Sequence, residues 1–102
     1  MAVHRRLDFA RVDCAALIRF DEILQRWLPG GRFEGAEYVV RNPKRLDRRP
    51  GSFKVNVKTG RWADFAAGVG GGDPISLAGY LFDLRQYEAA LRLAQMLGLV
   101  DG

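Results

Sequence analysis

The chain has 102 residues, of which 48% are hydrophobic and 27% are charged. This length is enough for one domain with a buried core, and the composition predicts a globular, soluble protein. No apolar run approaches the length of a membrane span, no signal peptide opens the sequence, and a single cysteine excludes an internal disulfide. These features predict a cytoplasmic protein that does not engage a membrane.

Residues 1–12 are predicted to form a flexible basic arm, and residues 13–102 a single domain. His4 lies in the arm, and the only cysteine, Cys14, follows it closely. A structural zinc site takes four ligands, usually Cys or His, so these two residues cannot build one. We expect Cys14 to be a small apolar side chain of the first helix.

Three helices are predicted from apolar residues at three-to-four spacing. The first begins with Asp13 as its N-cap and ends at Pro29-Gly30-Gly31. Its apolar face consists of Ala16, Leu17, Phe20, Ile23, Leu24, Trp27 and Leu28. The other two span residues 74–82, after an Asp73-Pro74 start, and residues 86–97, before Gly98.

Strands are predicted at residues 37–41, 52–57 and 61–65, with a Lys58-Thr59-Gly60 turn joining the last two. Strict alternation places Phe53, Val55 and Val57 on one face, and Ser52, Lys54 and Asn56 on the other. In the partner strand, Trp62 and Asp64 face one way, and Arg61, Ala63 and Phe65 the other. The predicted fold class is therefore α+β: a small antiparallel sheet flanked by one N-terminal and two C-terminal helices.

The glycine-rich segment 68–72 lacks the Gly-Lys-Ser/Thr ending of a Walker A motif, and Asp73 follows it. A carboxylate at that helix start would repel a phosphate, so we interpret this segment as a flexible connector.

Charge is concentrated between Arg41 and Arg61, where eight basic side chains stand against one acid, a net charge of +7. The rest of the chain holds eight basic and eleven acidic side chains, a net charge of −3. A basic segment of this kind is typical of a nucleic-acid binder, although solvated surface loops have the same composition.

Several short motifs follow one another in a fixed order in the second half of the chain. They are Gly51-Ser52-Phe53-Lys54-Val55, Thr59-Gly60, Trp62, Phe65, Gly70 to Asp73, Glu88-Ala89-Ala90 and Leu97-Gly98. In this order they resemble the N-terminal zinc-ribbon domain of bacterial, phage and plasmid DNA primases. With the preceding helix and strand, the resemblance covers most of the chain.

The zinc ligands of that family come as Cys-Pro-x-His followed by Cys-x-x-Cys. Around the first pair this chain has Asn42-Pro43 and Leu46, and at the second pair it has Asp64 and Ala67. We therefore predict a degenerate ribbon with no zinc and no other cofactor. Burial of Trp62, Phe65 and Val39 is expected to hold the hairpin instead.

The resemblance implies an accessory domain that engages single-stranded DNA template for a phage- or plasmid-type primase or primase–helicase. The candidate nucleic-acid-binding residues are Arg41, Lys44, Arg45, Arg48, Arg49, Lys54, Asn56, Lys58, Arg61 and Trp62. Of these, Trp62 either stacks on bases or belongs to the core.

The acidic residues are scattered, and no Ser/His/Asp or Cys/His constellation is present, so the sequence predicts no catalytic centre. The chain is then a fragment or accessory subunit of a primase, with the primase catalytic domain or a replicative helicase as a protein partner. The alternative is a zinc-free interaction module that docks to a replication partner through its terminal helices, ending in Leu99-Val100.

Overall fold

The computed structural model describes residues 7–45 and 51–100, and over these residues the chain has the predicted α+β fold. Its elements are α1 (Phe9–Ile18), α2 (Phe20–Trp27), β1 (Arg32–Glu34), β2 (Glu37–Val40), β3 (Phe53–Asn56), β4 (Trp62–Asp64), β5 (Val69–Gly71), α3 (Pro74–Phe82) and α4 (Gln86–Met96). The strands form one antiparallel sheet in the order β1-β2-β3-β4-β5. Within the described ranges, no helix is long and apolar enough to cross a membrane.

The N-terminal segment differs from its prediction, because two helices replace one. α1 begins four residues before position 13, with Asp8 as the N-cap accepting from the Arg11 backbone N–H, so residues 9–12 are helical rather than part of an arm. Arg19 has non-helical dihedral angles (φ −121°, ψ 24°) and separates α1 from α2. Residues 1–6 of the predicted arm lie outside the described residues.

Cys14 lies in α1, the first helix, as expected, and its side chain is exposed rather than packed in the core. Val12 and Ala16 carry the buried face of this helix. Cys14 lies two positions from each of them, and residues two apart on a helix point in different directions.

Asp13 is not an N-cap but a link between α1 and α3. Its carboxylate accepts a hydrogen bond of 3.0 Å from the backbone N–H of Ile75, in the first turn of α3. Burial raises the pKa of this carboxyl from 3.8 to about 6; the Ile75 hydrogen bond opposes that shift, and the neighbouring Asp73 carboxylate adds to it. The link therefore places two acidic groups close together at the start of α3.

The inner face of the sheet forms one core with the four helices. Its side chains are Tyr38, Val40, Phe53, Val55 and Trp62, all buried in the same cluster as residues of α1 to α4. Trp62 is only 6% exposed, and its indole N–H donates to the Ser76 hydroxyl at 2.8 Å. Trp62 is thus a core residue, and the interpretation of it as a base-stacking side chain is wrong.

Segment 68–72 is not a flexible connector, because residues 69–71 form strand β5. This strand pairs with β4, with Trp62 opposite Gly71 and Ala63 opposite Gly70. A Cβ atom at Gly71 would overlap the Ser76 hydroxyl and the Trp62 indole. A glycine at this position therefore allows the indole to reach α3.

We predict that Gly71→Ala destabilises the protein by about 1–3 kcal/mol, because the added methyl group overpacks the Trp62 contact. Gly72→Ala is the matched control, since a Cβ at that position meets no atom within 4 Å. Urea unfolding of both variants measures the difference, and an equal loss in the two would contradict this packing.

We predict that Asp13→Asn stabilises the protein at neutral pH by about 1 kcal/mol, because the carboxyl is partly exposed and solvent screens part of its interactions. The folded-state pKa of about 6 lies above the ordinary value of 3.8, so stability falls as pH rises between these values. Asparagine retains an acceptor for the Ile75 N–H and carries no charge. Unfolding midpoints of the wild type and Asp13→Asn, measured at pH 7 and near pH 3, test this, since the gain of the variant should disappear in acid. A wild type that is more stable than Asp13→Asn at pH 7 would refute the prediction.

Candidate nucleic-acid interface

The outer face of the sheet, opposite the helices, carries a shallow open groove. Register places Lys54 opposite Ala63, and Ala63 opposite Gly70, so these three residues lie in one row across β3, β4 and β5. We call this the outer groove and describe it by Lys54, Asn56, Arg61, Ala63, Phe65 and Gly70. Its other lining residues are Glu37 of β2, Thr59, Trp62, Gly71 and Gly72.

Phe65 lies at one end of the outer groove with 76% of its surface exposed. This corrects the expectation that it is buried, and the reason is strand alternation. Trp62 and Asp64 face the helices, so Phe65 faces outward with Ala63. An exposed aromatic ring beside basic side chains is a surface on which a base can stack.

Four of the predicted basic residues lie on or beside the outer face. Arg41, Lys58 and Arg61 are exposed, and Lys54 is partly buried between its cross-strand neighbours. Arg61 and Phe65 are separated by about 13 Å along the strand. The groove thus has a cation at one end, an aromatic ring at the other, and Lys54 between them.

Asn56, another predicted binding residue, helps to form the turn between β3 and β4. Its side-chain oxygen accepts from the backbone N–H groups of Lys58 at 2.9 Å and Thr59 at 3.0 Å. Gly60 has a φ of 80° in the same turn, as predicted for this position. The amide of Asn56 therefore sets the turn that presents Lys58 and Arg61.

Lys44 and Arg45 point away from the outer groove. The Lys44 ammonium donates to the Tyr80 carbonyl oxygen at 2.8 Å, pairs with the Asp83 carboxylate and lies 5.0 Å from the centre of the Tyr80 ring. Arg45 pairs with Asp64 at 3.3 Å. Arg48 and Arg49 lie outside the described residues.

The acidic groups of the outer face lie on β1 and β2. Glu34 and Glu37 are cross-strand partners, and Glu34 also pairs with Arg32 at 2.6 Å. The positive charge of the outer face is therefore concentrated on the side of β3 and β4, where an anionic strand would be attracted.

A second polar feature lies at the end of β4 that faces the helices. Asp64 is 0% exposed and Asn42 is 1% exposed, and the Asn42 amide donates to the Asp64 carboxylate at 2.8 Å. The same amide nitrogen donates to the Tyr80 hydroxyl, also at 2.8 Å. We call the side chains of Asn42, Arg45, Asp64 and Tyr80 the Asp64 cluster.

Backbone N–H groups and the Ser52 side chain are further partners of the Asp64 carboxylate. It accepts from the N–H groups of Ala66 at 3.0 Å and Ala67 at 3.2 Å. Burial alone would raise the pKa of the Asp64 carboxyl, but the hydrogen bonds that it accepts outweigh burial and hold the pKa below its usual value. Asp64 is therefore a charged group at neutral pH.

The Asp64 cluster stands where the resemblance to a zinc ribbon places the metal ligands. Counting along Cys-Pro-x-His from Asn42 puts the histidine position at Arg45, which corrects the assignment to Leu46, a residue outside the described ones. Asp64 and Ala67 occupy the second pair. This donor set does not fit zinc, because it has no thiolate or imidazole and contains a guanidinium.

No part of residues 7–45 and 51–100 brings together three or more His, Cys, Asp or Glu side chains that could hold a metal ion. Sequence reasoning did not find the Asp64 cluster, because its two buried members lie 22 residues apart. The two available signals were an Asp on the inward face of a strand and an Arg at the fourth position of the first ligand motif.

No known family model matches this chain, and no curated protein is significantly similar to it. The crystal structure of the Aquifex aeolicus primase, which comprises its zinc-binding and RNA polymerase domains, is similar over 92% of this chain, with a TM-score of 0.73 and 26% sequence identity. The chain spans 22% of the length of that primase chain. Its α+β fold is consistent with the zinc-ribbon-like domain of a primase.

Proposed function

We propose that this chain is a nucleic-acid-binding accessory domain of a phage- or plasmid-type DNA primase or primase–helicase, and that it engages single-stranded DNA template. The observation that carries the proposal is the outer groove, in which Lys54, Arg61 and the exposed Phe65 lie on one face. The similarity to the zinc-binding domain of a bacterial primase supports the replication context.

The groove has the two components that single-strand binding requires. Lys54 and Arg61 in the groove, together with Lys58 on the adjoining turn, can follow a phosphate backbone, and Phe65 offers a flat apolar ring to a base. Contacts with phosphate give affinity that falls steeply with salt and carry little sequence information. The domain is thus suited to hold a template strand, with choice of sequence left to other determinants.

Primer synthesis is a phosphoryl transfer that uses metal ions held by carboxylates. We assign that chemistry to a separate catalytic domain, because this chain spans only 22% of the similar primase chain. The catalytic domain and a replicative helicase are the protein partners that this assignment implies, and the cytoplasm is the compartment in which they would meet.

We further propose that the domain performs this role without zinc. The residues at the four ligand positions, Asn42, Arg45, Asp64 and Ala67, provide none of the thiolate or imidazole ligands of a structural zinc site. The fold at this position is then held by protein groups alone.

A second candidate function is docking to a replication protein through the C-terminal helices. Phe82, Tyr87 and Met96 are 49%, 53% and 40% exposed, and they are the large apolar side chains that α3 and α4 present to solvent. Leu99 and Val100, named from the sequence as docking residues, instead pack partly buried against the core. A docking site would therefore be centred on the exposed side chains of α3 and α4.

We predict that the protein binds a fluorescently labelled single-stranded oligonucleotide and that the affinity falls steeply as salt is raised. Lys54→Glu and Arg61→Glu should each weaken binding at least about tenfold, since each reverses a charge in the groove. Arg26→Glu, an equal charge change on exposed α2, is the control. Anisotropy titrations at several salt concentrations measure this, and no binding at low salt would refute the proposal.

We predict that Phe65→Ala weakens single-strand binding by about 1–3 kcal/mol through loss of stacking. The melting temperature should change little, because the ring is 76% exposed. Tyr87→Ala is the matched control, since it removes an exposed aromatic ring from α4. Unchanged single-strand binding in Phe65→Ala would contradict the stacking role. If Tyr87→Ala then impairs association with a replication protein while Phe65→Ala does not, docking through the helices becomes the better account.

A further inference from the structure

We infer that the Asp64 cluster replaces the metal ion of a zinc ribbon, as a buried crosslink made of one ion pair and a set of hydrogen bonds. This inference does not depend on nucleic-acid binding, because it concerns what holds the two ends of the ribbon together. It rests on which segments the cluster joins and on how completely its polar groups are paired.

The cluster joins the two segments that the ligand pairs of a zinc ribbon would join. Asn42 and Arg45 belong to the turn that follows β2, and Asp64 lies at the end of β4. The Asp64 carboxylate also binds the backbone of the β4–β5 turn through Ala66 and Ala67. One carboxylate therefore connects two turns that are distant in sequence.

Tyr80 extends the crosslink to α3. Its hydroxyl accepts from the Asn42 amide, and its ring stands 5.0 Å from the centre of the Trp62 ring. The Lys44 ammonium lies over the Tyr80 ring and pairs with the Asp83 carboxylate at the end of α3. The turn after β2 is thus held to both β4 and α3.

Pairing within the cluster is nearly complete. The Asn42 amide nitrogen donates to two acceptors, and its oxygen accepts from the Lys44 backbone N–H at 2.9 Å. The Asp64 carboxylate has donors on both oxygens, and Arg45 supplies the opposite charge at 3.3 Å. A buried carboxylate is tolerated only with such partners, so the cluster acts as a unit.

A metal ion cannot occupy the same place without breaking this arrangement. A zinc ion near Asp64 would meet the Arg45 guanidinium, another cation, and only one carboxylate as a charged ligand. The hydrogen bonds of the cluster already supply what coordination would supply, which is a link between the two turns.

The first test uses the chain with an intact Asp64 cluster and the single substitution Cys14→Ser, so that the exposed thiol does not bind metal. We expect no stoichiometric zinc after purification from zinc-supplemented medium, and the same melting temperature with and without EDTA. Stoichiometric zinc, or a melting temperature lowered by EDTA, would overturn the inference.

The second test removes parts of the cluster. Asp64→Asn keeps the shape of the side chain but replaces one acceptor oxygen by an N–H₂ donor, which would face the N–H donors that now bind Asp64. We expect the melting temperature of this variant to fall by about 10 °C or more. Arg45→Ala, at a partly exposed position, should lower the melting temperature by a smaller amount. It replaces Asp64→Asn as the test variant if Asp64→Asn does not fold. Asp21→Asn on exposed α2 is the control. A cluster variant as stable as Asp21→Asn would contradict the crosslink.

The third test rebuilds the metal site at the same positions. The combined substitutions Asn42→Cys, Arg45→His, Asp64→Cys and Ala67→Cys should give a chain that binds one zinc ion and whose melting temperature falls with EDTA. Metal analysis and thermal melts measure both properties. A folded variant that does not bind zinc would show that the cluster does not occupy the place of the metal.

Discussion

The carboxylate of Asp64 has lost all contact with solvent, and a buried charge persists only where protein groups replace its water. Most of the replacing donors come from the turn after β2 and from the turn after β4, and the Ser52 side chain, just before β3, adds another. Both turns must therefore approach the same point, beside α3. This requirement also directs Arg45 inward, while Arg41, just before the turn, stays exposed.

Strand β4 connects this buried network to the outer face. Trp62 and Asp64 point to the helices, and Arg61 and Phe65, at the two ends of the strand, point to the groove. A slip of one residue in the pairing of β4 would exchange the two sets and bury Arg61 and Phe65. Packing on the inner face, including the close approach of Trp62 to Gly71, therefore also sets the geometry of the groove.

The best-predicted parts of the fold are those with local signals. Strict alternation and the Gly60 turn placed the β3–β4 hairpin within about one residue of its observed ends. Asp73 and Pro74 marked the start of α3, where the structure has a capping box with Ser76. These signals are local because capping and turn formation depend on residues only a few positions apart.

Other features had weak or misleading signals. The apolar face of the first predicted helix continues on both sides of Arg19, so periodicity did not reveal the break between α1 and α2. Strands β1 and β5 have only three residues each, which is too short for a pattern of alternation to be recognised. For Phe65, alternation alone would have indicated exposure, but its hydrophobicity favoured burial. The Asp64 cluster depends on contacts between distant segments, which no local pattern contains.

The floor of the outer groove consists of Ala63 and Gly70, which lie opposite each other on β4 and β5. Neither side chain has a hydrogen-bond donor or acceptor, so the floor cannot distinguish the edges of one base from those of another. A strand lying there would be recognised by its charge, its flexibility and the flat faces of its bases. Under the proposed function, such a surface would accept many sequences and would offer no stacking contact to a duplex, whose bases are already stacked on each other.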